Sequence, residues 1–207
     1  MAGLNARDAR IFRITHVRNV PWMLDHGLVC RSSAQADPNF ITIGMPDLID
    51  KRRTHPVPIP PGGTLADYVP FYFAPRSPML FTISRGNVVG YNGGQEQVVH
   101  LVSTVEVACG LNKPWCFTDG HADMEISKQF EKLTSLDKID WNIMKEIWWN
   151  DTIQDGDRKR RRQAEFLVHQ AFPWTGVAEI GVMSQKIAAL VQAALNGAEH
   201  KPKVVVR

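Results

Sequence analysis

Five consecutive basic residues, Arg158-Lys159-Arg160-Arg161-Arg162, run into Gln163-Ala164-Glu165 and then into the apolar triplet Phe166-Leu167-Val168. Like charges in a block repel one another and are stable beside an anion or in open solvent. The apolar triplet needs burial. The chain therefore passes from charged surface to core within a few residues, with Glu165 at the border. If 163–168 is a strand, side chains alternate between its faces, and Gln163 and Glu165 project from the same side. A carboxylate at the mouth of a sheet, beside a basic surface, suits chemistry on an anionic substrate. The same residues also fit a solvated basic turn before an ordinary strand, with Glu165 an incidental charge.

The remaining candidates are spread along the chain. His16 ends the β-prone run Ile11–His16, and Asn19 then starts a short helix over 20–26 with Pro21 in its first turn and Gly27 at its C-terminal end. Backbone donors at a helix start are free for phosphate or ribose oxygens; a lone histidine there serves equally as a structural hydrogen bonder. Lys51-Arg52-Arg53 closes a helical turn that begins at Pro46. The proline-dense segment 56–63 is then a stiff irregular loop. Tyr68 and Tyr72 belong to an aromatic strand that Pro70 excludes from a central ladder position; they fit either the core or the face of a planar ring. Residues 74–80 read as a presented loop. Trp148 and Trp149 are adjacent and cannot both face inward on one helix, so one is available as a base-stacking platform or both form an aromatic lid.

Composition sets the outer bounds. With 207 residues, 44% hydrophobic and 22% charged, the chain is long enough for one globular domain, 1–207, with a sizeable core. The net charge of +3 argues neither for nor against nucleic acid. No apolar run has membrane-spanning length. Met1 to Arg10 is charged and lacks the apolar core of a secretory leader. Cys30, Cys109 and Cys116 are odd in number and not spaced for metal, which points to reduced thiols in a cytoplasmic protein and to no zinc site.

The pattern of elements is that of an α+β domain. Strands are expected at 11–16, 40–43, 98–105, 115–118, 177–182 and 203–207. Helical pieces are expected at 106–111 and between 127 and 157, with turns at Asp119-Gly120 and Phe172–Trp174. A clean amphipathic helix runs from Ser184 to Leu195, with Ile187, Leu190, Val191 and Ala194 on one face.

Four stretches taken together, Ile14–Asn19, Pro60–Gly63, Tyr68–Leu80 and Arg162–Val168, resemble the DarT family. These are the DNA ADP-ribosyltransferase toxins of DarT–DarG toxin–antitoxin systems. The resemblance spans nearly the whole chain, in order. It implies an ADP-ribosyltransferase-like fold, two small β-sheets forming an NAD cleft with flanking helices. It also implies transfer of ADP-ribose from NAD to single-stranded DNA, with thymidine N3 as acceptor in the most similar branch. The implied partner is the macrodomain antitoxin DarG, and the implied state is a monomer.

The resemblance also assigns roles. Glu165 matches the catalytic glutamate, which steadies the positive ribose carbon as nicotinamide leaves. A glutamate at Gln163 would have pointed to another acceptor in the wider superfamily, but glutamine does not fix one. Arg52 or Arg53 matches an arginine thought to take the thymine N3 proton, with the distance to Pro60–Gly63 favouring Arg52. Arginine stays protonated, and an equally physical role is to clamp NAD phosphate and stabilise the deprotonated base. His16, Val17, Arg18, Asn19, Gly27, Tyr68 and Tyr72 correspond to NAD-contacting positions. Pro75, Arg76, Ser77, Pro78, Met79, Leu80, His121, Trp148, Trp149, Asn150, Asp151, Arg158, Arg160, Arg161 and Arg162 are assigned to the DNA surface, the arginines on phosphates. The target base has to be unstacked to react. Two other readings share these residues: the same fold acting on guanine, RNA or protein, and a non-catalytic single-strand binder.

Overall fold

Pro70 divides the main sheet of this protein. The computed structural model describes residues 8–207, so the reading of Met1–Arg10 as free of a leader lies largely outside it. The first half contains β1 (Arg10–His16), α1 (Val20–His26), β2 (Leu28–Val29), α2 (Pro46–Arg52), β3 (Tyr68–Tyr72), α3 (Pro78–Ser84), β4 (Val98–Thr104) and α4 (Val105–Gly110). The second half contains β5 (Trp115–His121), β6 (Gln129–Phe130), α5 (Trp141–Lys145), α6 (Arg158–Arg162), β7 (Ala164–His169), β8 (Ala171–Phe172), β9 (Glu179–Val182), α7 (Gln185–Ala194) and β10 (Lys203–Val206).

Eight strands join in the order β10-β9-β4-β1-β3-β7-β5-β6, while β2 and β8 form a separate pair. The β1–β4 ladder runs from Arg10 opposite Thr104 to His16 opposite Val98. The β3–β7 ladder runs from Tyr68 opposite His169 to Tyr72 opposite Glu165. Between β1 and β3 only Phe12 and Tyr72 pair. A strand residue points its N–H and C=O to the same side. The Pro70 carbonyl faces β1, where Arg13 Nη1 donates to it at 3.1 Å. The donor that proline lacks is therefore missing on the β1 side and costs the β7 ladder nothing. The expectation that Pro70 keeps this strand from a central place is thus corrected: β3 is central in order but laddered on one side only. The two expected sheets are halves of one sheet, opened at Pro70.

Several local expectations change for identifiable reasons. Residues 40–43 are not a strand: the Asn19 amide accepts from Ile41 N (2.9 Å) and donates to Ile41 O (2.9 Å), taking the place of a strand partner. Asn19 also donates to Thr15 Oγ1, and its side chain does not cap α1. Asp119-Gly120 is no turn, since β5 continues through an irregular register to His121. Arg160 lies so close over Gly120 that a Cβ there would stand 2.1 Å from its Nη1. Residues 78–84 are helix α3, capped by Ser77 Oγ accepting from Leu80 N, not a presented loop. Gln163 ends α6 instead of opening β7. In α7, Ile187, Ala188 and Val191 are buried but Leu190 is half exposed.

The core lies against both halves of the sheet and includes Ile11, Val69, Phe71, Leu101, Phe117, Phe166 and Phe172. Helix α7 closes one side of it with Ile187, Val191 and Leu195. Asn19→Ala removes both bonds to Ile41 and leaves its half-buried backbone groups without that partner, so a loss of about 1–2 kcal/mol is expected, read as a shift of the urea midpoint.

Candidate active site

Glu165 is the second residue of β7 and is only 1% exposed. Three contacts hold it. Arg52 Nη1 lies 3.2 Å from Oε1 and 3.0 Å from Oε2. Ala122 N donates to Oε1 at 3.2 Å. The Glu165 backbone N–H donates to Thr118 Oγ1, whose own hydrogen is given to Gly120 O. The irregular end of β5 therefore shapes the bed of the carboxylate. Arg52 comes from the last turn of α2. Arg53, one residue on, points to solvent and pairs loosely with Asp50 at 3.6 Å, which separates the two arginine candidates.

The carboxylate faces a cleft of about 220 Å³ lined by Arg13, Arg31, Arg52, Tyr68, Tyr72, Met79 and His121, among others. Tyr72 stands directly opposite Glu165 across the β3–β7 ladder, and opposite residues present their side chains on one face. Burial, then the charge of Glu165, pushes the Tyr72 phenol well above its ordinary value, so it stays a donor. Burial, then Arg52, pulls the Arg13 guanidinium down to about 10, which leaves it charged at neutral pH. Arg52 Nη2 and Arg13 Nε are buried with no hydrogen-bond partner among the described residues. Two positive groups with unused donors around one cleft are arranged to receive an anion.

At the rim, His121 Nδ1 lies 2.5 Å from Asp123 Oδ1, and Lys51 Nζ lies 3.3 Å from Asp123 Oδ2. Asp123 is 2% exposed. Its hydrogen bond with His121, reinforced by the charges of His121 and Lys51, holds the carboxyl down at about 2. Among the described residues no group of three or more His, Cys, Asp and Glu could hold a metal ion.

The other expected NAD contacts are placed differently. His16 is buried at the end of β1, two residues beyond cleft-lining Ile14 on the same face. Its Nε2–H donates to Gln97 Oε1 at 2.6 Å, and its Nδ1 accepts from Arg18 N. Burial lowers its pKa, in keeping with this neutral, doubly bonded ring. Val17 and Asn19 are buried and Arg18 is exposed. Gly27 adopts a φ of +73°, and a Cβ there would meet Phe172 O at 2.8 Å. It shapes the turn beside β8 and is not a residue of this cleft. Tyr68 lines the cleft with its ring, while its hydroxyl donates to Gly62 O.

The basic run is corrected most. Arg160 bonds Asp157, Asp119 and Ser127. Arg161 bonds Asp140 and Asp155 and lies near Asp157. Arg162 is buried and donates to the carbonyls of Arg76 and Ile143. Arg158 donates to the carbonyls of Asn150 and Trp148, and Asp151 accepts from Lys159 N. Charges expected to meet phosphate instead fasten residues 119–162 to themselves, because four aspartates fold back onto them. Ser77, Pro78, Leu80 and Trp149 are buried; Trp149 packs edge-on against Phe81. Pro75, Arg76 and Trp148 remain on the surface, with Trp148 77% exposed. Met79 and His121 line the cleft.

Sequence reasoning missed Arg13, Asp123, Lys51 and the Ala122 N–H. The charge interrupting Ile11-Phe12-Arg13-Ile14 and the acid two residues after His121 were the available signals.

The main sheet, half-opened between β1 and β3, presents one buried glutamate, a facing tyrosine and arginines with unused donors to one cleft, an arrangement able to hold an anionic substrate and to stabilise a positive charge that develops beside the carboxylate. Residues 12–207 match the family model described as DarT, ssDNA thymidine ADP-ribosyltransferase. The chain is 44% identical over 172 residues to a DNA ADP-ribosyl transferase of Escherichia coli O127:H6, covering 83% of this chain and 79% of that one. It is 37% identical over 199 residues to one from Thermus sp. 2.9, covering 95% and 93%. The solved structure of Thermus sp. 2.9 DarT in complex with ADP-ribosylated ssDNA superposes with a TM-score of 0.90 over 96% of this chain and 94% of that one, at 37% identity. The same protein in complex with NAD+ gives 0.86 over 96% and 95%. The chain belongs to the DarT family.

Arg162→Met strips a buried guanidinium from two carbonyls and should cost about 3 kcal/mol, read by thermal or urea unfolding. Arg160→Gln should leave the salt slope of single-strand binding unchanged, where a lost phosphate contact would lower it by about one.

Proposed function

We propose that this chain transfers ADP-ribose from NAD to thymine in single-stranded DNA, at the N3 nitrogen, with release of nicotinamide. The observation that carries the reading is the buried Glu165 held by Arg52 at a cleft whose arginines keep unused donors, in a chain of the DarT family. NAD is a substrate here. Its pyrophosphate offers acceptors for the unused donors of Arg13 and Arg52, and Arg31 lies on the same cleft wall.

Glu165 steadies the positive charge that grows on the ribose as nicotinamide departs. The interaction is stronger in the transition state than in the ground state, which is what accelerates the step. Arg52 holds the carboxylate in place. Tyr72 offers a hydrogen-bond donor on the opposite strand. The single strand crosses the rim by Met79, Arg76 and Trp148, with Trp148 offering an indole face for a flanking base. His16 shapes the end of β1 that the nucleotide passes. The partner that fits this chemistry is a macrodomain antitoxin that removes the ADP-ribose, and the chain acts as a monomeric single domain in the cytoplasm. No described helix is long and apolar enough to cross a membrane.

The test is incubation with NAD and four oligonucleotides, each dominated by one base, read by mass. A gain of one ADP-ribose on the thymine-rich strand alone is expected; modification of the guanine-rich strand instead would overturn the choice of base. Glu165→Ala should lower transfer by at least about 10³-fold while single-strand affinity stays within a fewfold. Arg52→Ala should lower transfer by at least about 10²-fold, whereas Arg53→Ala should stay within twofold, measured as initial rates.

A further inference from the structure

With the basic run 158–162 turned inward on its own aspartates, a strand of DNA at the cleft needs cations elsewhere. The ladder registers show where they lie. One cross-strand row runs Glu165, Tyr72, Phe12, Val102, Glu179, Lys203 through β7, β3, β1, β4, β9 and β10. Residues opposite one another present their side chains on one face. The far end of the row therefore shares a face of the sheet with the Glu165 carboxylate, roughly 20–25 Å away by strand spacing. That end is basic. Arg10 Nη2 and Arg207 Nη2 both reach Glu179 Oε1, at 3.2 and 2.7 Å, and Lys203 stands opposite Glu179 in the ladder. Glu179 is the one acid in the sequences of β1, β4, β9 and β10, so three cations share a single carboxylate. The side chains of Arg10 and Arg207 stay 42% and 50% exposed, and Lys203 is exposed. Arg10 is also held over the Phe12 ring, 5.5 Å from its centroid.

The next row joins this corner to the cleft. It runs Ile14, His100, Gly181, Val205, with Ile14 in the cleft wall. Gly181 leaves its middle without a side chain. His100 Nε2–H donates to the Pro75 carbonyl at 2.9 Å, which sets the row beside Arg76 at the rim. We infer that Arg10, Lys203 and Arg207, gathered around Glu179, form a second phosphate-binding surface that carries the flank of the single strand away from the reacting base. The inference rests on the single-stranded DNA reading above. Charge and continuity choose the occupant: a polyanion takes up the two uncompensated positive charges, and the surface lies on the cleft's own face with Arg76 between. Phosphate contacts position a strand without reading its bases, so this surface adds affinity and leaves the choice of base alone.

The experiment compares strands of about 4 and about 16 nucleotides, each with one thymine among cytosines, placed at the 5′ or the 3′ end of the long form. Wild type should bind one of the two long forms more tightly than the short strand, and use it at lower KM, with kcat and KM for NAD unchanged. In Lys203→Gln/Arg207→Gln that advantage should vanish. The salt slope on the long strand should fall by about 0.7 for each cation removed, while the short strand is bound as before. Lys203→Arg/Arg207→Lys should keep the advantage, and melting curves check that each variant folds. A wild type indifferent to length, or a glutamine variant that keeps the full advantage and slope, would overturn the inference. So would loss of polyglutamate binding with the DNA slope unchanged, which marks a seat for an acidic protein. A wild-type dimer split by the glutamine variant would mark a seat for a second copy and overturn it too. A wild type that neither binds nor marks the short thymine strand would instead overturn the reading beneath it.

Discussion

The ion pair between Arg52 and Glu165 is the constraint on which the rest of the structure depends. Withdrawing a carboxylate from water to 1% exposure costs several kcal/mol before any partner is counted. The site offsets this by bringing a guanidinium from α2, a backbone N–H from Ala122 and the end of β7 to one point. None of these is near another in sequence. The irregular end of β5 exists to place Ala122 and Thr118, and Arg160 over Gly120 holds that end down. Helix α2 supplies both Arg52 and Lys51, so one short helix positions the acid directly and the His121–Asp123 couple through Lys51. The reactive groups are thus fixed by long-range packing, as pre-organised electrostatics demand.

The sequence carried more of this than local pattern suggests, though unevenly. The strands that became β1, β4, β5 and β7 were legible because their apolar residues and turn signals are local properties. So were α1, with Pro21 and Gly27 at its ends, and α7 with Ser184 at its start. Glu165 was legible as a carboxylate at the border of surface and core. The resemblance to the DarT family made it a catalytic candidate. The choice between Arg52 and Arg53 leaned to Arg52 on the distance to Pro60–Gly63 alone, since neighbouring positions on a helix differ by about 100° in direction and only the fold says which faces inward.

The failures share one cause. Residues 158–162 look like a solvated basic surface because a linear reading cannot see Asp119, Asp140, Asp155 and Asp157 arriving from elsewhere. The same blindness hid Arg13, which in an alternating strand reads as a solvent-facing charge and is in fact half-buried across the opening from Pro70. Residues 75–80 seemed available to a ligand because Pro75 and Pro78 made the stretch read as a presented loop, yet Pro78 begins a helix as readily as it ends one. Gly27 was legible only as the end of α1; its close approach to the β8 backbone is a property of the fold.

The single rung between Phe12 and Tyr72 also sets where the molecule is softest. Amides protected by a continuous ladder exchange with deuterium only through large openings, whereas those along an unladdered edge exchange through small ones. The most heavily paired body of this chain therefore has a seam of fast isotope uptake running through its middle, flanked on both sides by slow strands. Arg13 and Ile14 of β1 and Tyr68, Pro70 and Tyr72 of β3 line the cleft, so the softest line of the sheet is also a wall of the site.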